Sequence, residues 1–112
     1  MIIIGRGKEK NNLVRYIKRN NLSKNIKLIN FLDSPFNLIR SSDLFILTSI
    51  YEGLPNVLLE AQTLKKFIIS SDCPTGPKEI LDNGKYGTLF KSGNSDDLCK
   101  KLILISKKKT KY

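Results

Sequence analysis

The sequence predicts an α/β fold in which a parallel β-sheet carries helices on both faces. Two patterns lead to this prediction. Short apolar runs typical of buried strands alternate with segments whose apolar residues recur at helical spacing. The 112 residues, 40% of them hydrophobic, are enough for one domain, and no linker or repeat interrupts the alternation.

The predicted elements follow one another along the chain in regular alternation. Residues 2–4 form an apolar run that ends at a glycine, as expected of a buried parallel strand. Leu13, Val14 and Ile17 then recur at helical spacing. Four further strands are predicted at residues 26–31, 43–48, 67–71 and 88–90. The helices that follow are predicted around residues 36–39, 57–64, 78–81 and 95–105.

Composition limits the classes of function. The formal charge of +10 could attract nucleic acid, an anionic membrane surface or a phosphorylated substrate. The lysines are spread along the helical segments, however, and no aromatic residues alternate with them as a base-stacking platform requires. We therefore expect no nucleic-acid partner, and keep membrane-surface association as an option.

Two absences in the sequence narrow the chemistry further. The chain contains no histidine, and Cys73 and Cys99 match no metal-site spacing, so neither a zinc site nor a His-based catalytic triad is expected. We also expect no other metal and no cofactor. No apolar run approaches the roughly 20 residues that span a bilayer, and no export signal is evident. The expected location is the cytoplasm, with an option of peripheral association at the inner face of the membrane.

Residues 49–61 carry most of the chemistry that the sequence suggests. They begin at the carboxyl end of a predicted strand, where ligands bind in parallel sheets, and they end inside a helix. Asn56 is the predicted N-cap, which would leave the amides of Val57, Leu58 and Leu59 free at the positive end of the helix dipole. Such an end suits a phosphate or a diphosphate.

Two carboxylates bracket this predicted anion site. Glu52 lies in the loop, and Glu60 lies about one turn into the helix. Carboxylates are good acceptors for vicinal sugar hydroxyls. A phosphate site between two such acids suits a nucleotide sugar, with the ribose on one flank and the transferred sugar on the other. Considered alone, Glu52 is more simply interpreted as a solvated loop residue, and Glu60 as a partner of the helix dipole.

Residues 49–61 resemble the Glu-x7-Glu signature of group 1 retaining glycosyltransferases. Four other segments resemble the same family in the right order, and the resemblance extends to about Ser106. These segments are residues 2–7, 31–35, 71–81 and 83–90. The resemblance implies the C-terminal, Rossmann-like half of the two-domain GT-B fold, here a partial domain of residues 1–106 followed by a basic tail of residues 107–112.

The resemblance also implies roles for individual residues. Glu52 would be the catalytic-site acid that contacts the donor sugar, and Glu60 would bind the nucleotide ribose. The donor-binding backbone would comprise Gly53, Leu54, Pro55, Asn56, Val57 and Leu58 around the diphosphate, Leu32 near the base, and Gly5 in the first turn. For Gly5 a plain strand-to-helix turn fits equally well, since no third glycine completes a GxGxxG pattern.

The function implied by the resemblance is transfer of a sugar from a nucleotide-sugar donor, a UDP-sugar by preference, in the synthesis of cell-surface polysaccharide, lipopolysaccharide or glycan. The acceptor domain of the family and an Arg and a Lys that neutralise the donor diphosphate have no counterpart here. We therefore expect weak donor binding and little transfer by this chain alone. The alternative is a non-catalytic nucleotide-sugar-binding module, or a subunit completed by a partner chain.

Overall fold

The computed structural model of the protein describes residues 1–109, which form two compact units. The first unit is Met1–Pro35 and the second begins at Phe36. Part of the predicted basic tail, residues 110–112, lies outside the described residues. No helix among the described residues has the length and apolar character needed to cross a bilayer.

The first unit is a single β-α-β motif. Strand β1 (Ile2–Ile4) pairs in parallel with β2 (Lys27–Ile29), with Ile3 opposite Leu28. Helix α1 (Lys10–Arg19) connects the two strands and buries Ile17. A parallel pair needs such a crossover, because a tight hairpin can join only antiparallel strands.

Helix α1 ends at the paired asparagines Asn20 and Asn21. The amide of Leu22 donates to the Ile17 carbonyl at 2.9 Å. Asn21 takes the left-handed backbone conformation, with φ of 55°. Asparagine tolerates this conformation better than most residues, so it can end the helix and turn the chain toward β2.

The second unit contains a parallel sheet with strand order β3-β4-β5. These strands are Leu44–Leu47, Phe67–Ser71 and Thr88–Phe90. Its helices are α2 (Phe36–Ser41), α3 (Asn56–Thr63), α4 (Pro77–Ile80) and α5 (Ser95–Lys109), with a 3-10 turn at Asp82–Gly84. Each predicted strand is present, although β2 and β3 are shorter than the apolar runs that predicted them.

The core of the second unit lies between the sheet and helices α2, α3 and α4. Its buried members are Ile39, Leu58, Ala61, Ile68 and Leu81. Successive residues of a strand point to opposite faces, and in β4 the four residues from Ile68 to Ser71 are all buried. Both faces of the sheet are therefore covered at its central strand, as is typical of a parallel sheet.

Candidate functional site

Glu52 lies in the loop between β3 and α3, at the carboxyl end of the second unit's sheet. The hydroxyl of Ser49 donates to Glu52 Oε1 at 2.5 Å. The hydroxyl of Thr75 donates to the backbone carbonyl of Glu52. The side chain of Glu52 is half-buried. Both its carboxylate and its backbone are thus held by hydroxyl groups from the same end of the sheet.

The loop that follows β4 packs against the Glu52 loop through Gly76. A Cβ atom at Gly76 would lie 2.7 Å from Pro55 Cδ and 2.8 Å from the Gly53 carbonyl oxygen. Gly76 also has φ of +94°, which residues with a side chain rarely adopt. Glycine is therefore required here twice over, and Pro55 and Gly76 are both buried by the contact.

The start of α3 differs in detail from the prediction. Pro55, not Asn56, is the N-cap, and Asn56 is the first helical residue. The amide of Leu58 donates to the Pro55 carbonyl at 2.9 Å. The prediction that this amide is free is therefore wrong. The reason is that Pro55 already holds a restricted φ of −77°, and its carbonyl closes the first turn without a side-chain cap.

Two amides remain open at this helix start. Among the described residues, the backbone N–H groups of Asn56 and Val57 have no hydrogen-bond partner. The first amides of any helix lack intrahelical acceptors and carry the positive end of its dipole. The helix start can therefore donate two hydrogen bonds to an anion, whereas the fully buried side chain of Leu58 belongs to the core.

Glu60 lies one turn further along α3, four residues after Asn56. Its side chain is half-buried, and its Oε2 atom is buried with no hydrogen-bond partner among the described residues. Leaving such an oxygen unsatisfied costs about 1–3 kcal/mol, or more for a charged group. Buried polar groups in folded proteins are nearly always paired, so an acceptor in this state is a candidate contact for a bound group.

The tip of the Glu52 loop is open. No atom lies within 4 Å of the position that a Cβ would take at Gly53. The side chains of Ile50, Tyr51 and Leu54 are 74%, 79% and 68% exposed, which is unusual for apolar residues. A ligand could therefore approach the backbone of Gly53 and Leu54 without displacing the protein's own side chains.

The other two predicted donor-binding residues, Gly5 and Leu32, lie in the first unit. Gly5 follows β1, donates its amide to the Ile29 carbonyl at 3.1 Å, and lines a cleft of about 180 Å³ together with Arg6 and Lys10. Leu32 is half-buried beside Phe31, over whose ring the Arg6 guanidinium lies at 4.9 Å. The predicted residues are thus divided between the two units, eight in the second and two in the first.

A larger groove in the second unit lies at the opposite end of the sheet. Its volume is about 390 Å³, and its lining includes Phe67 at the start of β4 and Thr88 at the start of β5. Ligands of parallel α/β sheets bind at the carboxyl ends of strands. The Glu52 end of the sheet is therefore the better candidate.

Sequence reasoning did not single out Ser71 or Thr75, two hydroxyl residues near Glu52. Ser71 is fully buried at the end of β4, and its hydroxyl donates to the Ser49 carbonyl at 2.5 Å. Only a weak indication of this role is present in the sequence, because Ser and Thr are common both at strand ends and in loops. Within residues 1–109, no cluster of three or more potential metal ligands exists.

Comparison with known proteins agrees with the family resemblance of residues 49–61. The family model for group 1 glycosyl transferases matches residues 1–112. An uncharacterized glycosyltransferase of Methanocaldococcus jannaschii is 40% identical over 104 residues, covering 81% of this chain and 26% of the relative. The amylovoran biosynthesis glycosyltransferase AmsD of Erwinia amylovora is 36% identical over 92 residues, covering 82% and 26%.

Among solved structures, a mutant of S. aureus TarM, in complex with fondaparinux, α-GlcNAc-glycerol and UDP, matches with a TM-score of 0.80 and 27% identity. The match covers 92% of this chain and 21% of that one. The chain spans about a quarter of the length of the curated relatives it matches. It belongs to the family of group 1 glycosyltransferases, and its two units are a Rossmann-like fragment of the GT-B fold.

Proposed function

We propose that the chain forms the nucleotide-sugar-binding part of a retaining glycosyltransferase that uses a UDP-sugar in the synthesis of cell-surface polysaccharide or lipopolysaccharide. The observation that carries the proposal is the buried Oε2 of Glu60, which has no partner in the part of the chain that the structure describes and lies on the helix that begins with open amides. A nucleoside diphosphate offers a ribose hydroxyl to the first group and phosphate oxygens to the second.

Glu60 binds the ribose in this proposal. A ribose hydroxyl is a hydrogen-bond donor, and Oε2 of the half-buried side chain is an acceptor without a partner among the described residues. The hydrogen bond would relieve the cost of the unsatisfied oxygen, so ligand binding would recover free energy that the unliganded protein lacks. The unsatisfied oxygen of Glu60 is thus a feature of the proposed binding site.

The diphosphate binds at the start of α3. The amides of Asn56 and Val57 donate to its oxygens, and the helix dipole adds a favourable electrostatic term. When the sugar–phosphate bond breaks, negative charge grows on the leaving diphosphate. Groups aimed at developing charge lower the barrier, so the helix start acts in the transfer step itself.

The transferred sugar binds at Glu52. Its carboxylate accepts hydroxyls of the sugar, and the exposed loop around Gly53 leaves room for the ring. Leu32 and Gly5 of the first unit contact the nucleotide in the proposal, as the family resemblance implies. UDP as the nucleotide is supported by the UDP complex of the TarM mutant, which is 27% identical to this chain.

Titration with UDP tests the donor site. Wild-type chain is expected to bind UDP saturably, and Glu60→Gln to lose about tenfold in affinity because an amide accepts ribose hydroxyls less strongly than a carboxylate. Glu79→Gln is the matched control, since Glu79 is exposed on α4. Equal UDP affinity for wild type and Glu60→Gln would overturn the assignment.

The location of the protein is also a proposal. We place it in the cytoplasm with peripheral association at the inner face of the membrane, since its charge of +10 favours an anionic lipid surface. Co-sedimentation with phosphatidylglycerol vesicles, but not with phosphatidylcholine vesicles, is the expected result at low salt. Equal recovery with both lipids would contradict it.

A further inference from the structure

We propose that Ser49, Ser71 and Thr75 are positioning residues that hold Glu52 for the transferred sugar. They would thereby determine how much more tightly a nucleotide sugar binds than the free nucleotide. The inference rests on the donor site proposed above. It concerns three hydroxyl groups that contact Glu52 or its neighbour Ser49, and none of them is assigned a contact with the donor.

The first of these contacts orients the carboxylate of Glu52. Ser49 donates its hydroxyl to Glu52 Oε1 at 2.5 Å, which is a short hydrogen bond to a charged acceptor. Oε2 has no partner among the described residues and is not buried. One carboxylate oxygen is therefore occupied and orients the group, while the other remains open to a sugar hydroxyl.

The other two contacts fix the backbone of the loop that contains Glu52. Thr75 donates its hydroxyl to the Glu52 carbonyl, and Ser71 donates to the Ser49 carbonyl at 2.5 Å. Ser71 is fully buried in β4, the central strand of the sheet. The loop is thus tied to the most rigid element of the unit, and the position of Glu52 follows from that of β4.

In this arrangement, different groups of the protein contact the sugar and the nucleotide. Glu60 and the start of α3 provide the proposed ribose and diphosphate contacts, and neither is hydrogen-bonded to Ser49, Ser71 or Thr75. Loosening Glu52 should therefore weaken the contact with the sugar and leave nucleotide binding unchanged. A purely structural role would weaken both, because the loop and the helix start are continuous.

The first experiment compares UDP with UDP-glucose and UDP-N-acetylglucosamine as ligands of the full chain. Ser49→Ala is expected to weaken the tighter of the two sugar nucleotides about two- to tenfold relative to UDP, the range for loss of one hydrogen bond. Ser49→Thr retains the hydroxyl and should restore the ratio. Ser41→Ala, which removes an exposed hydroxyl bonded to the Leu38 carbonyl, is the control.

Equal losses for UDP and for the sugar nucleotides in Ser49→Ala would overturn the inference and indicate a structural role. Thermal denaturation of each variant, with and without UDP, identifies any general loss of folded protein. A wild-type chain that binds none of the three ligands would refute the donor site instead.

The second experiment decides the inference without any ligand. NMR relaxation of the ¹³C-labelled glutamate side chains is expected to show a rise in the mobility of Glu52 in Ser49→Ala, and a smaller rise in Thr75→Val. Ser41→Ala should leave Glu52 unchanged. Unchanged mobility of Glu52 in both Ser49→Ala and Thr75→Val would overturn the positioning role, whether or not UDP binds.

Discussion

At the scale of single residues, the site depends on groups in conformations or surroundings that cost free energy. Glu60 has a buried oxygen with no partner within residues 1–109, and Gly76 holds φ of +94° against Pro55. Unfavourable local states of this kind persist when the surrounding structure enforces them, and they concentrate at functional sites. Both residues lie in the segments that the family resemblance marks.

Substitution of Gly76 tests whether an unfavourable backbone conformation supports the candidate site. Gly76→Ala should lower the free energy of unfolding by about 1–3 kcal/mol, because a Cβ would meet Pro55 and the left-handed conformation would be strained. It should also weaken UDP binding, since Pro55 caps α3. The measurement is urea denaturation together with UDP titration.

Gly53→Ala is the matched control for this substitution, because the same loop has open space at Gly53 and a Cβ there would meet no atom within 4 Å. Its stability should stay within about 0.5 kcal/mol of wild type, as for most exposed positions. If Gly53→Ala were as destabilising as Gly76→Ala, crowding at Pro55 would not be the cause.

At the scale of elements, α3 serves the core and the site with different faces. Leu58 and Ala61 are fully buried against the sheet, whereas Asn56 and Glu60, four residues apart, share another face. Residues 57–64 were predicted as helical from their periodicity, and the observed helix is Asn56–Thr63. The shift of one residue arises because the closing hydrogen bond comes from Leu58 to Pro55.

Truncation of neighbouring leucines in α3 tests which face carries the stability. Leu58→Ala should cost about 2–5 kcal/mol in the free energy of unfolding, because it opens a cavity in the core. Leu59→Ala changes the same side chain at a position that is 39% exposed, and it should cost less than half as much. Urea denaturation of both variants gives the comparison, and equal losses would contradict the assigned faces.

At the scale of the whole molecule, the chain spans about a quarter of the length of its curated relatives. Within residues 1–109, the strands form one sheet of two and one of three. The apolar strand β3 is hydrogen-bonded to β4 and to no other described strand. An edge of this composition lacks the charges and prolines that usually prevent association.

A transfer assay tests completeness. The purified 112-residue chain is expected to release no UDP from a UDP-sugar above the rate of a heat-inactivated sample, because groups outside this chain complete the cleft in the proposed enzyme. UDP titration of the same preparation shows whether the donor site is folded. Robust transfer by the isolated chain would contradict the expectation, and transfer that needs a co-expressed partner would identify a subunit.

The sequence by itself determined the order and type of the elements and predicted where along the chain the candidate site lies. Alternation of apolar runs with helical periodicity is a local property, and so is the spacing of Glu52 and Glu60 across a loop and a helix start. These features could be read directly because they depend on residues close together in the chain. The family model confirms the assignment they led to.

Only the tertiary structure decided how the site is supported. The hydroxyls of Ser71 and Thr75 reach the Glu52 loop from 22 and 23 residues away, and Gly76 meets Pro55 across a similar separation. The division of the strands between two sheets likewise depends on which strands pair. Such contacts form when parallel strands bring distant loops to the same end of a sheet, and no local pattern records which side chains will then meet.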